Sequence, residues 1–123
     1  MASDTEMSPT TRVVALPVVG GQLSLHFGHC EAFELFDVDT SSKAILNSRC
    51  LTPPAHEPGV LPKWLHEQGA HVIVAGGMGS RAQQLFQQAG IEVVVGAPSE
   101  SPRSIVQAWL DGRLQMGNNR CDH

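Results

Sequence analysis

The sequence predicts an α/β domain in which a mixed sheet is covered by helices on both faces. Three observations lead there. The first half of the chain offers three strand-like apolar segments, two of them separated only by a short polar turn. The second half alternates helical and strand-like segments, and 123 residues with 41% hydrophobic content can fill one core but not two. A turn-linked pair implies antiparallel neighbours, whereas strands separated by helices imply right-handed crossovers and parallel pairing.

Residues 1–11 mix Ser, Thr, Asp, Glu and Pro with little to bury, so a flexible lead-in is expected before a domain over residues 12–114 and a tail over residues 115–123. Residues 12–19 (RVVALPVV) are apolar and β-branched and are closed by Gly20 and Gly21, the pattern of a buried strand. Residues 32–38 (AFELFDV) and 44–51 (AILNSRCL) form a second and third strand, with Asp39, Thr40, Ser41 and Ser42 as their hairpin loop. After Pro53, Pro54 and Pro58, residues 60–68 set Val60, Leu61, Trp64 and Leu65 at helical spacing and stop at Gly69. Residues 71–75 (HVIVA) and 91–95 (IEVVV) are strands on either side of a helix over 80–89, which Gly90 ends. Ser101 as N-cap and Pro102 at the first helical position open a last helix that runs to Leu110 and stops at Gly112. The order is βββαβαβα, without an internal repeat. Trp64 and Trp109 are read as core anchors, Cys50 as a core or edge residue of the third strand, His56 and His66 as solvated, and His71 as a cap on its strand.

Charge and cysteine usage narrow the function. Twelve acidic against eight basic residues give a formal net charge of -4, and no run of Lys or Arg provides a face for nucleic acid or an anionic membrane. No apolar stretch reaches the length of a secretory core or a membrane span, so the cytoplasm is the expected location. Cys30, Cys50 and Cys121 are odd in number and widely spaced, which argues against a disulfide framework and for thiolate ligation. No Ser/His/Asp nucleophile arrangement is legible, and no enzymatic turnover is expected.

Three groups of residues could carry chemistry. His26, Phe27, Gly28, His29 and Cys30 put two imidazoles and a thiol within five positions of a loop. These are ligands preferred by zinc, copper and iron-sulfur species, and Gly28 lets the backbone bend so that they converge. The alternative is that His26 hydrogen-bonds the loop, Phe27 packs on the core and Cys30 is simply small and buried. The chain ends with Cys121, Asp122 and His123. If that tail folds back, Cys121 and His123 join His29 and Cys30 in a two-sulfur, two-nitrogen site of the kind zinc favours; otherwise it is a frayed terminus. The third group is Gly76, Gly77, Met78 and Gly79, a glycine-rich turn between a strand and a helix that carries Arg81. Backbone N–H groups, the positive end of a helix and one guanidinium suit an anion, while tight strand-to-helix packing explains the glycines equally well. The match of residues 77–82 to a dinucleotide fingerprint is weak, because such fingerprints follow the first strand of their fold.

Taken together, these features resemble the dinitrogenase iron-molybdenum cofactor biosynthesis family, the group that contains NifX and the C-terminal part of NifB. The resemblance spans residues 12–114. It rests on His26-Phe27-Gly28 before the strand at 33–37, the strand at 72–75 followed by Gly76-Gly77-Met78-Gly79, Ala89-Gly90-Ile91-Glu92-Val93, and a final helix ending in Asp111-Gly112-Arg113-Leu114. It implies a ribonuclease-H-like three-layer α/β/α fold with a five-stranded mixed sheet of order 3-2-1-4-5. It further implies non-catalytic binding of an iron-molybdenum or other metal-sulfur cluster, exchanged with cluster donor and acceptor proteins. In that strand order the first strand neighbours the fourth, so His26 and the glycine turn share one sheet edge. The favoured function is therefore a cluster carrier or scaffold, with His26 and Cys30 near the metal and Arg81 and the turn amides facing its negative charge. The competing function is a mononuclear site, zinc above all, built from His29, Cys30, Cys121 and His123 for structure or metal handling. A nuclease of the implied fold is rejected, because residues 12–19 contain no Asp or Glu to position metal ions.

Overall fold

The computed structural model describes residues 11–24, 32–53, 60–97, 100–112 and 114. Its longest strand, β1 (Thr11–Val19), is the apolar run that opens the domain, and residues 13–18 are buried. Gly20 and Gly21, at φ 60° and 80°, turn the chain straight back into β2 (Gln22–Leu23), which pairs Val18 with Leu23 and Val19 with Gln22. Positive φ at both central residues gives a two-residue hairpin whose twist matches its strands, and glycine adopts it without a Cβ penalty. This strand was not expected from the sequence, and it corrects the count: the sheet has six strands rather than five.

The next hairpin joins β3 (Ala32–Asp39), antiparallel to β1 along its whole length, to β4 (Ala44–Leu51) at one edge. The turn lies at residues 40–43, shifted by one from the expected loop: Asp39 belongs to the strand, where its Oδ1 accepts from the Ser41 amide at 2.9 Å, and Lys43 takes the left-handed position at φ 57°. Helix α1 (Val60–Glu67) leads into β5 (Val72–Val74), α2 (Ser80–Gln88) into β6 (Glu92–Val94), and α3 (Pro102–Leu110) closes the described chain. β5 runs parallel to β1 and β6 parallel to β5, so the mixed sheet follows the path β4-β3-β1-β5-β6 with β2 attached to β1.

Alternation along the strands sorts the core into two layers. Val13, Ala15, Phe33, Leu35 and Ile73 face Leu61 and Leu65 of α1 and Phe86 of α2. Val14, Leu16, Phe36, Val38, Val72 and Val74 face Ile105, Val106 and Leu110 of α3. Trp64 and Trp109 are half-buried partners of these layers rather than their centres; Trp64 meets Phe33 edge-on, with ring centroids 5.9 Å apart. Cys50 is exposed on the edge strand β4, with Glu34 as its cross-strand partner. The last helix starts as its sequence requires, with Ser101 Oγ accepting from the Ser104 amide at 3.3 Å. Among the described residues no helix is long and apolar enough to cross a membrane.

His71 does more than precede β5. Its backbone N–H donates to the Val13 carbonyl at 2.8 Å, and its Nδ1 accepts from the Val13 N–H at 2.9 Å, so one residue satisfies both backbone groups of Val13. Desolvation, and then the nearby Arg12 charge, lower its pKa below the ordinary 6.5. The unfolded chain therefore takes up this proton first. The contribution is fully present above the unfolded pKa and is lost as pH falls from there through the lowered folded value. We expect the melting temperature of the parent to drop more than that of His71→Gln between about pH 7.5 and about pH 5, a range that brackets the unperturbed histidine. Parallel melts at both pH values check this.

Candidate functional site

The carboxyl ends of β1 and β5 lie side by side, since Val14 pairs with Val72 and Ala15 with Ile73 in parallel register. Pro17 has no N–H to offer a ladder, and beyond Ala15 no further β1 residue pairs with β5. Its carbonyl instead accepts from the Ser24 amide at 2.9 Å, as the chain comes off β2. The chain returns at Ala32, whose cross-strand partner is Val18. Ser24 and Ala32, the described residues that flank the segment 25–31 containing the His26, Phe27, Gly28, His29 and Cys30 motif, are therefore both held near the end of β1.

The glycine turn follows β5 at the same sheet edge. Gly76 and Gly77 are buried, and the Gly76 carbonyl accepts from the Gly96 amide at 3.0 Å. The Met78 side chain is fully buried in the layer under α1 and α2, so any contact of Met78 with a ligand falls to its backbone. Gly79 is the N-cap of α2, extended at φ -66° and ψ 158°, and no side chain caps the helix. A Cβ built on Gly79 would meet nothing within 4 Å. The fold thus needs glycine at 79 neither for φ nor for space, which weakens the packing explanation at this one position. Arg81 is exposed on the first turn of α2, and no acidic residue shares that turn. The edge is completed by the approach to α3, where the Leu23 amide donates to the Glu100 carbonyl at 3.0 Å.

A consequence can be measured at Gly79. Gly79→Asp supplies the missing cap and complements the helix dipole, and is expected to raise stability by about 0.5 kcal/mol. The same carboxylate should weaken binding of an anion at the edge. Urea unfolding and an anion titration on one variant test both signs.

Gly76, Gly77, Met78, Gly79 and Arg81 form one contiguous turn and helix start after β5, the parallel neighbour of β1. His26, His29, Cys30, Cys121 and His123 lie outside the described residues, as does His56. Among the described residues no three His, Cys, Asp or Glu side chains gather to hold a metal ion. A groove of about 510 Å³ between α1 and α2 is lined by Pro62, Lys63, His66, Leu85, Gln88 and Ala89. It sits at the far end of α2 from the glycine turn and takes no part in this edge. Sequence reasoning missed Gln83, whose Nε2 donates to the Met78 carbonyl at 2.9 Å. Its one signal was a polar residue with a long side chain one turn after a glycine.

A small mixed α/β domain with this layering is shared with solved structures. PH0822 is similar over 85% of this chain and 93% of its own, at 28% identity and a TM-score of 0.77. The apo form of the orange protein from Desulfovibrio gigas has the same fold over 88% of this chain and 94% of its own, at 24% identity and a TM-score of 0.67. An uncharacterized protein of Methanocaldococcus jannaschii is 26% identical over 105 residues, 83% of this chain and 88% of the relative. The profile of the dinitrogenase iron-molybdenum cofactor family matches residues 11–112, and the chain belongs to that family.

Proposed function

We propose that this protein is a non-catalytic carrier or scaffold for an anionic metal-sulfur cluster of the iron-molybdenum type, in a domain of ribonuclease-H-like type. Its chemistry is binding and release, and its partners are the proteins that deliver the cluster and take it away. The observation that carries the proposal is the anchoring of residues 25–31 at the end of β1, beside the turn at 76–79 on the parallel neighbour. Soft donors in the loop, His26 and Cys30, are suited to the metal, and the turn amides with Arg81 to the negative charge of the sulfides. Family membership supports a cargo of this class.

The test is purification without oxygen, followed by elemental analysis and visible spectra before and after adding iron, sulfide and molybdate. Iron or molybdenum bound with sulfide, together with charge-transfer bands, is the expected result. Zinc bound without visible bands would replace the cluster by the mononuclear site of His29, Cys30, Cys121 and His123.

A further inference from the structure

Gln83 makes two bonds to the glycine turn. Its backbone N–H donates to the Gly79 carbonyl at 3.1 Å, and its carboxamide Nε2 donates to the Met78 carbonyl at 2.9 Å in a partly buried position. A trans peptide is planar, with C=O and N–H pointing in opposite directions. Holding the Met78 oxygen toward Gln83 therefore aims the Gly79 N–H away from Gln83.

That peptide has particular need of a lock. Rotating it changes mainly ψ of Met78 and φ of Gly79, and glycine accepts positive φ about as readily as the negative value of -66° it has here. The open space beside Gly79 offers no side-chain obstacle to the rotation. The Met78 side chain fixes one end of the peptide in the core, but burial of a side chain does not choose between the two orientations of the amide that follows it. The Gln83 carboxamide bears on that choice directly, because it binds the carbonyl itself.

We propose that Gln83 is a positioning residue of the cluster site, keeping the Met78–Gly79 peptide turned so that its amide faces outward at the sheet edge. The inference rests on the reading that an anionic metal-sulfur cargo binds at this edge. Its magnitude follows from populations: if only a fraction of molecules hold the peptide in the competent orientation, the apparent dissociation constant rises by the reciprocal of that fraction. Without the carboxamide donor a roughly fivefold to tenfold weakening is expected, as for a competent fraction of about one in five to one in ten.

The experiment uses the full chain without oxygen, with tetrathiomolybdate as the probe, titrated by its visible absorption. Gln83→Met keeps length and helix propensity but removes the donor. Gln84→Met makes the same change one residue on, at an exposed position. Expected are a fivefold to tenfold higher dissociation constant for Gln83→Met alone, unchanged melting temperatures, and a displaced Gly79 amide signal in ligand-free Gln83→Met. A purely structural Gln83 would not separate affinity from melting temperature in this way. If Gln83→Met melts below the parent, Gln83→Leu, uncharged, helix-forming and without a donor, is titrated in its place. Equal affinity of parent and variant overturns the positioning role and leaves the cluster reading standing. Failure of both variants to fold makes Gln83 structural and also overturns it. Failure of the parent to bind at all refutes the cluster reading and this inference with it.

Discussion

Phe86→Ala is expected to destabilise the protein by about 3 to 5 kcal/mol, the range for truncating a large, fully buried aromatic. Phe86 is the one fully buried residue of α2, whose other eight residues are half-buried or exposed. It packs in the layer with Leu61 and Leu65 of α1, Ile73 of β5 and Ile91 just before β6. Its carbonyl also accepts from the Ile91 amide at 2.9 Å, so the ring fixes the helix at the point where the chain turns into β6. Ala82 of α2 and its C-cap Ala89, which pack against the same layer, are too small to fill the space an alanine would leave. Urea unfolding of parent and variant measures the loss. A change below about 1 kcal/mol, the size expected of a surface site, would mean that α2 is held by something other than this side chain.

The second large effect concerns cargo rather than folding. His26→Ala is expected to lower retention of a reconstituted cluster at least tenfold, since loss of even an outer partner of a metal ligand commonly costs about ten- to a hundredfold. Thermal stability without cargo should stay close to that of the parent. The described residues of the two core layers pack on one another, and the described chain on either side of residues 25–31 is fixed by the Ser24–Pro17 hydrogen bond and the Ala32–Val18 pairing. Metal analysis after desalting, run beside melts of the same samples, separates the two quantities. Equal retention by variant and parent would remove His26 from the site.

The elements that were legible in the sequence are those with a local signal. Ser101 followed by Pro102 marked the start of α3 because a cap and a fixed φ act within one turn, and β3 stood out because its apolar residues face both layers, Phe33 and Leu35 one and Phe36 and Val38 the other. β2 escaped because two residues cannot display a period; the Gly20-Gly21 pair was its signal, and it was read as an ending instead of a hairpin. The shift of the β3–β4 turn rests on Lys43 in a left-handed conformation, which nothing about lysine announces. Trp109 looks like a core anchor by size and spacing, yet Ile105, Val106 and Leu110 occupy the buried side of α3 and leave the indole half-covered at the margin. At the site, the glycine turn could be read directly, because its residues are contiguous. The Gln83 contact could not, because it joins a side chain to a carbonyl five positions back and depends on the path of the turn.

The two anchors of residues 25–31 have a further implication for how such a domain changes over time. Ser24 and Ala32 sit on neighbouring residues of one strand, so the fold brings the ends of this segment together whatever lies between them. Closing a flexible loop costs only about 0.6 kcal/mol more for each doubling of its length. Insertions or wholesale replacement of residues 25–31 should therefore leave the sheet intact while altering the donors presented at its edge. For the proposed carrier, such replacement is a route by which selectivity for cargo would drift without the frame having to be rebuilt.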